Sequence, residues 1–125
     1  MPFVYVLSPY TSPSEVEMNV RAHYAACAVA ELMEKPQFSD YVFFSPIVHY
    51  HQVAVRSRDL PRDVSFWWNI NLTFMRMATH AVVLQMPGWK ESNGIRKELH
   101  WFTNNQELSN APAEIIYYNT NWENF

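Results

Sequence analysis

With 125 residues, 49% of them apolar and 16% aromatic, the chain has the material for one domain, residues 1–125, with its own core. Nine basic residues against twelve acidic ones give a net charge of −3; the basic ones are scattered, which argues against a nucleic-acid polymer or an anionic membrane as partner and for a small molecule. Cys27 is the only cysteine, so no internal disulfide forms and a reducing compartment is expected, the cytoplasm being the simplest; the opening MPFVYVLSPYTSP also lacks the basic and long apolar regions of a leader or membrane span.

Phe3 to Leu7 (FVYVL) is a continuous β-branched and aromatic run, the pattern of a strand buried on both faces of a parallel sheet. Ser12-Pro13-Ser14-Glu15 is a capping box with proline at the first helical position, predicting a helix to about Lys35-Pro36 with Val16, Val20, Tyr24, Cys27, Ala28 and Leu32 on its apolar stripe. Tyr41 to Phe44 is a second strand, stopped by Ser45-Pro46. Ile47 to Arg62 has no sustained period and reads as a long loop, a common place for function. A second helix runs from Asp63-Val64 to about Ala78, a third strand from His80 to Met86, a third helix from Ser92 to about Asn105, and a fourth strand from Ala113 to Tyr118. In the third helix Ile95, Leu99 and Phe102 face inward. The polar and aromatic tail Asn119 to Phe125 is expected to be ordered only against a partner. Alternating strands and helices predict a three-layer α/β/α sandwich on a parallel sheet, with ligands beyond the carboxyl ends of the strands.

The two glycines of the chain, Gly88 and Gly94, fall six residues apart in PGWKESNGIRKE, between the third strand and the third helix. Free N–H groups at such a helix start attract an anion, and glycine lets a ligand approach the backbone. Ser92 either caps the helix or bonds a ligand; Glu98, about one and a half turns on, either faces the same crevice or is solvated surface.

Four blocks resemble the nucleoside 2-deoxyribosyltransferase superfamily, and within it the DUF1937 branch: Tyr5-Val6-Leu7-Ser8-Pro9-Tyr10; Arg21 with the Ala/Cys-rich helix; Phe44-Ser45-Pro46-Ile47-Val48-His49-Tyr50-His51; and Pro87-Gly88-Trp89 through Ser92, Gly94 and Glu98. The resemblance implies a flavodoxin-like parallel sheet of about five strands, homo-oligomers, no cofactor, and cleavage of the N-glycosidic bond of a deoxynucleoside or its 5′-monophosphate. It casts Glu98 as the nucleophile that forms a covalent glycosyl-enzyme, and Tyr5 as the hydroxyl that orients it, unless Tyr5 is a core aromatic. Ser8, Pro9, Tyr10, Ser92 and the amides around Gly88 and Gly94 become substrate-binding. Arg21 becomes a phosphate ligand, or else an ordinary surface arginine.

Relatives carry an aspartate on the second helix where this chain has Asn71. An amide cannot donate a proton as a general acid, so another acid has to substitute: His49, His51 or a bound water. Otherwise the protein binds a nucleotide without turning it over. On an extended segment His49 and His51 point to one side, so with His80 or His100 they are candidate metal ligands; no Cys or carboxylate lies at ligand spacing nearby, which favours a base pocket instead. Of the tryptophans, Trp89 is the pocket candidate, while Trp67 and Trp68 are assigned to core or subunit packing. The surplus of aromatic and methionine residues leads us to expect at least a homodimer through the second helix, with the tail reaching the neighbouring cleft.

Overall fold

A computed structural model describes residues 1–60, 64–104 and 113–125. Strands β1 (Phe3–Leu7), β2 (Val42–Phe44), β3 (His80–Leu84) and β4 (Glu114–Tyr118) alternate with helices α1 (Glu15–Met33), α2 (Pro46–Arg56), α3 (Val64–Met75) and α4 (Asn93–Asn104). The strands form one sheet in the order β2-β1-β3-β4, every pairing parallel. The expected three-layer α/β/α architecture is therefore found, with four strands among the described residues rather than about five. After β4 the chain turns through a 3₁₀ segment, Trp122–Asn124, where a fifth strand would have needed another crossover.

The period of two in each strand sorts side chains between the layers. Val4, Val6, Val82 and Leu84 point to one face and bury against Ala25, Ala28 and Leu32 of α1. Tyr5, Leu7, Ala81 and Val83 point to the other, against Met75 of α3 and Ile95 and Phe102 of α4. Ala25 and Ala28 are completely buried, and their small side chains let α1 lie close to the sheet. Full burial of a side chain such as Val6 or Leu7 is worth about 1.5–3 kcal/mol, so the β1–β3 pair anchors both layers.

Three local expectations are corrected. The cap of α1 is Ser14, whose Oγ accepts from Glu17 N, while Ser12 Oγ accepts from Ser14 N one turn earlier. The segment taken for a long loop is helical over Pro46–Arg56: Ser45 Oγ accepts from Val48 N at 3.1 Å and Pro46 occupies the first turn. The tail packs on its own α1 face, where Trp122 is 8% exposed beside Tyr24 and Phe125, and its Nε1 donates to Asn119 Oδ1 at 2.9 Å. Asp63 and Asn105, the expected limits of two helices, lie outside the described residues, as does Arg62. Among the described residues no helix is long and apolar enough to cross a membrane.

Candidate functional site

Strand order reverses between β1 and β3, because β1 leads to a neighbour on one side and β3 continues on the other. A crevice opens at such a switch point, outside the carboxyl ends of the strands. Here it is a cavity of about 700 Å³ whose wall includes Ser8 after β1, Pro46 after β2 and Gly88 after β3. That size lies within the range of about 300–1,000 Å³ usual for small-ligand sites.

Glu98 enters the cavity from α4. Ile95, Glu98 and Phe102 share the helix's buried face by their spacing of three and four, so a carboxyl group is carried inward with two apolar neighbours. Its exposure is 8%, and Tyr5 Oη donates to its Oε2 at 2.5 Å. Burial pushes the Glu98 carboxyl up to about 7, partly offset by the Tyr5 hydrogen bond. The Tyr5 hydroxyl is held well above its ordinary value, first by burial and then by the adjacent carboxylate, so it stays a neutral donor. Tyr5 itself is fully buried and is not part of the cavity wall; it acts on the site through Glu98.

Two buried polar atoms have no hydrogen-bond partner among the described residues, Ser8 Oγ and Asn71 Oδ1, and both residues are in the wall of this cavity. An unsatisfied buried polar atom costs about 1–3 kcal/mol, and these two stand ready for a ligand's donors. Flat apolar surface comes from Trp67 and Trp68 of α3, with Tyr50 of α2 at 5.0 Å from the Trp67 ring. Lys97 Nζ lies 4.4 Å from the centre of the Trp68 ring.

The amino end of α4 forms another side. Ser92 caps it, its Oγ accepting from Ile95 N at 3.2 Å, and Asn93 and Gly94 line the cavity beside it. Gly88 has φ +90, the left-handed region, and a Cβ there would come within 2.9 Å of Arg21 Nη2. Arg21 is not a free surface cation. Its Nη1 donates to the carbonyl oxygens of Tyr10 and Thr11, its Nη2 pairs with Glu17 at 2.9 Å, and it too lines the cavity.

A family model described as Domain of unknown function (DUF1937) matches residues 2–111. The chain belongs to the DUF1937 family. No curated protein matches it.

In this DUF1937 chain the cavity gathers Ser8, Tyr10, Arg21, His51, Asn71, Gly88, Ser92, Gly94 and Glu98 of the residues expected from sequence. It does not gather Pro9, His49 or Trp89. Pro9 is fully buried beneath the turn. His49 is exposed, its ring 5.6 Å from Phe44, because residues two apart on a helix diverge by about 200° where an extended segment would have aligned them. Trp89 packs toward the α3–α4 side of the sheet, 6.0 Å from Tyr117. Trp67 and Trp68 line the cavity, Trp68 while also packing against the core as expected, and Trp89, expected in the pocket, does not. His80 lies at the amino end of β3, bonded to Thr79, and His100 bonds Asn104 on exposed α4 surface. Among the described residues no three His, Cys, Asp or Glu side chains group as a metal site.

Sequence reasoning missed Tyr50, Lys97 and Asn19. Asn19 of α1 matters most, since its Oδ1 lies 2.8 Å from Nε2 of buried His51, and no local pattern links two residues 32 positions apart.

Proposed function

We propose that this DUF1937 chain belongs to the nucleoside 2-deoxyribosyltransferase-like superfamily and breaks, or transfers across, the N-glycosidic bond of a deoxynucleoside or its 5′-monophosphate. The observation that carries this reading is one carboxyl group, Glu98, buried in the wall of a nucleotide-sized cavity and held by a tyrosine hydroxyl. Attack of the ionised carboxylate on C1′ expels the base and forms a glycosyl-enzyme; water or a second base then attacks C1′ and releases Glu98. With its pKa near 7, a substantial fraction of Glu98 is ionised at neutral pH, and as a poorly solvated carboxylate it is a strong nucleophile. Trp67 and Trp68 offer stacking surface for the base. The capped amino end of α4 and Arg21 offer the positive potential that a 5′-phosphate would use. Most of α3 is apolar and only part of it is covered, which supports a homodimer through this helix.

Asn71 favours a second reading. An amide occupies the place where a proton donor would serve the leaving base, so the same cavity on a sensor or sequestering protein would bind the nucleotide without cleaving it. The deciding experiment incubates the protein with each deoxynucleoside and its 5′-monophosphate and follows free base by chromatography. Release is expected, lowered by several orders of magnitude in Glu98→Gln with ligand binding kept, and neutral or reduced in Asn71→Asp. Equal release by Glu98→Gln would sink the covalent mechanism. Binding without release, with cleavage gained in Asn71→Asp, would establish the second reading.

A further inference from the structure

His51 and Tyr10 form a bonded pair in the cavity wall that the steps above leave unused. His51, 7% exposed on α2, lies with Nδ1 2.8 Å from Tyr10 Oη and Nε2 2.8 Å from Asn19 Oδ1. The rings meet edge-on at 5.4 Å and 81°, so three elements fix the pair: the turn after β1, α1 and α2. An amide oxygen only accepts, so Asn19 Oδ1 takes the Nε2 proton and sets the tautomer. Nδ1 is then the atom that exchanges a proton with the Tyr10 hydroxyl. Both side chains line the cavity that holds Glu98 and Asn71.

We propose that Tyr10, charged with a proton by His51, is the acid that protonates the departing base, and the base that later deprotonates the incoming nucleophile. This rests on the glycosidic reading above. The cycle starts with His51 doubly protonated, Nε2–H on Asn19 and Nδ1–H on Tyr10. In the first half-reaction Glu98 Oε attacks C1′, the C1′–N bond breaks, Tyr10 Oη gives its proton to the departing base, and His51 Nδ1–H replaces it on Tyr10, leaving neutral imidazole with its proton on Nε2. In the second, water or a second base forms its bond to C1′ as the bond to Glu98 breaks. Its proton passes to Tyr10 Oη, and the tyrosine's own proton returns to Nδ1. Protons balance over the cycle, and Asn71 is needed only to hold the ligand. Asn19 is a positioning residue, acting through the tautomer of His51.

The test compares two leaving groups. A natural deoxynucleoside needs protonation to release its base, whereas para-nitrophenyl deoxyriboside releases a stable anion without it. Tyr10→Phe removes one oxygen and keeps the ring; His51→Gln is the second variant, and the melting temperature of each is measured. In the first turnover, followed by rapid mixing, both variants should slow release of the natural base by about 10²-fold or more and release nitrophenolate near the wild-type rate, with later turnovers slowed on both substrates by the shared second half-reaction. Equal first-turnover losses on the two substrates would overturn the acid role, as would unchanged release of the natural base. In either case, Glu98-dependent release of nitrophenolate by wild type would leave the glycosidic reading standing. Both substrates are tried with and without a 5′-phosphate; if wild type cleaves none of the four, the glycosidic reading falls and this proposal with it.

Discussion

Glu98 is the residue where the energetics of folding and of chemistry meet. A carboxyl group ordinarily titrating near 4.5 is pushed up to about 7 by burial, so the folded state holds its proton where the unfolded chain has released it. At pH below about 4.5 both states are protonated and burial carries no charge penalty. Through the interval up to about 7 stability falls with rising pH, and above it the full cost, roughly 3 kcal/mol, is present. Glu98→Gln removes that slope: the variant's advantage over wild type in denaturant titrations should be small near pH 4.5 and reach its maximum above pH 7. A constant difference at all pH values would mean that the carboxyl group is not desolvated. Glu98 was legible in the sequence because its partner residues, Ser92 and Gly94, lie on the same short stretch. His51 is half legible: the sequence block Phe44–His51 points to it, while its bonds to Tyr10 and Asn19 join residues 41 and 32 positions away and exist only through the fold.

At the scale of elements, the strands and the presence of the long helices followed from period and caps. The inward face of α1 did not, since Val16 and Val20, expected to face inward, are exposed while Met18, Ala22 and Ala25 are buried; nor did α2. Ser45-Pro46 is the same cap-and-proline signal that announces a helix start, yet after YVFF it reads as a strand ending. The inward positions Ile47, Tyr50, His51 and Ala54 do follow helical spacing, but the two buried ones are a histidine and a small alanine while the larger apolar Val48 and Val53 are exposed. The hydrophobic pattern therefore points to no face, and tertiary contacts decide. The two glycines separate in the same way. Gly88 bends the β3–α4 connection through φ +90, whereas Gly94 is an ordinary residue of the first turn of α4. Gly88→Ala should cost about 1–3 kcal/mol and displace Arg21 from the Tyr10 and Thr11 carbonyls, while Gly94→Ala should fold as well as wild type or slightly better. Thermal melts of the two variants check this; equal melting temperatures would show that the Gly88 turn is not strained by a side chain.

For the whole molecule, α3 is the element on which the proposed homodimer rests. Its sequence VSFWWNINLTFM is apolar apart from Asn71 and a stripe, Ser65, Asn69 and Thr73, which is the exposed face; of the apolar side chains Met75 is fully buried, and Phe66, Trp67, Trp68, Ile70, Leu72 and Phe74 are only half-buried. We expect static light scattering at micromolar concentration to return at least a dimer, and a charged residue in place of Ile70 to shift it toward monomer. A wild-type monomer would mean that α3 tolerates its exposure. The order of layers also has a consequence for how a ligand enters. Val4 to Leu7 of β1 are all but inaccessible to solvent, bonded on both edges and covered on both faces, so the floor of the cavity is the last part of the molecule to loosen. Glu98 is tied to that floor through Tyr5, whereas Tyr50, His51, Trp67 and Trp68 belong to helices outside the sheet. Any breathing that admits or releases a ligand therefore belongs to the walls, and the Glu98 carboxyl group stays at rest while they move.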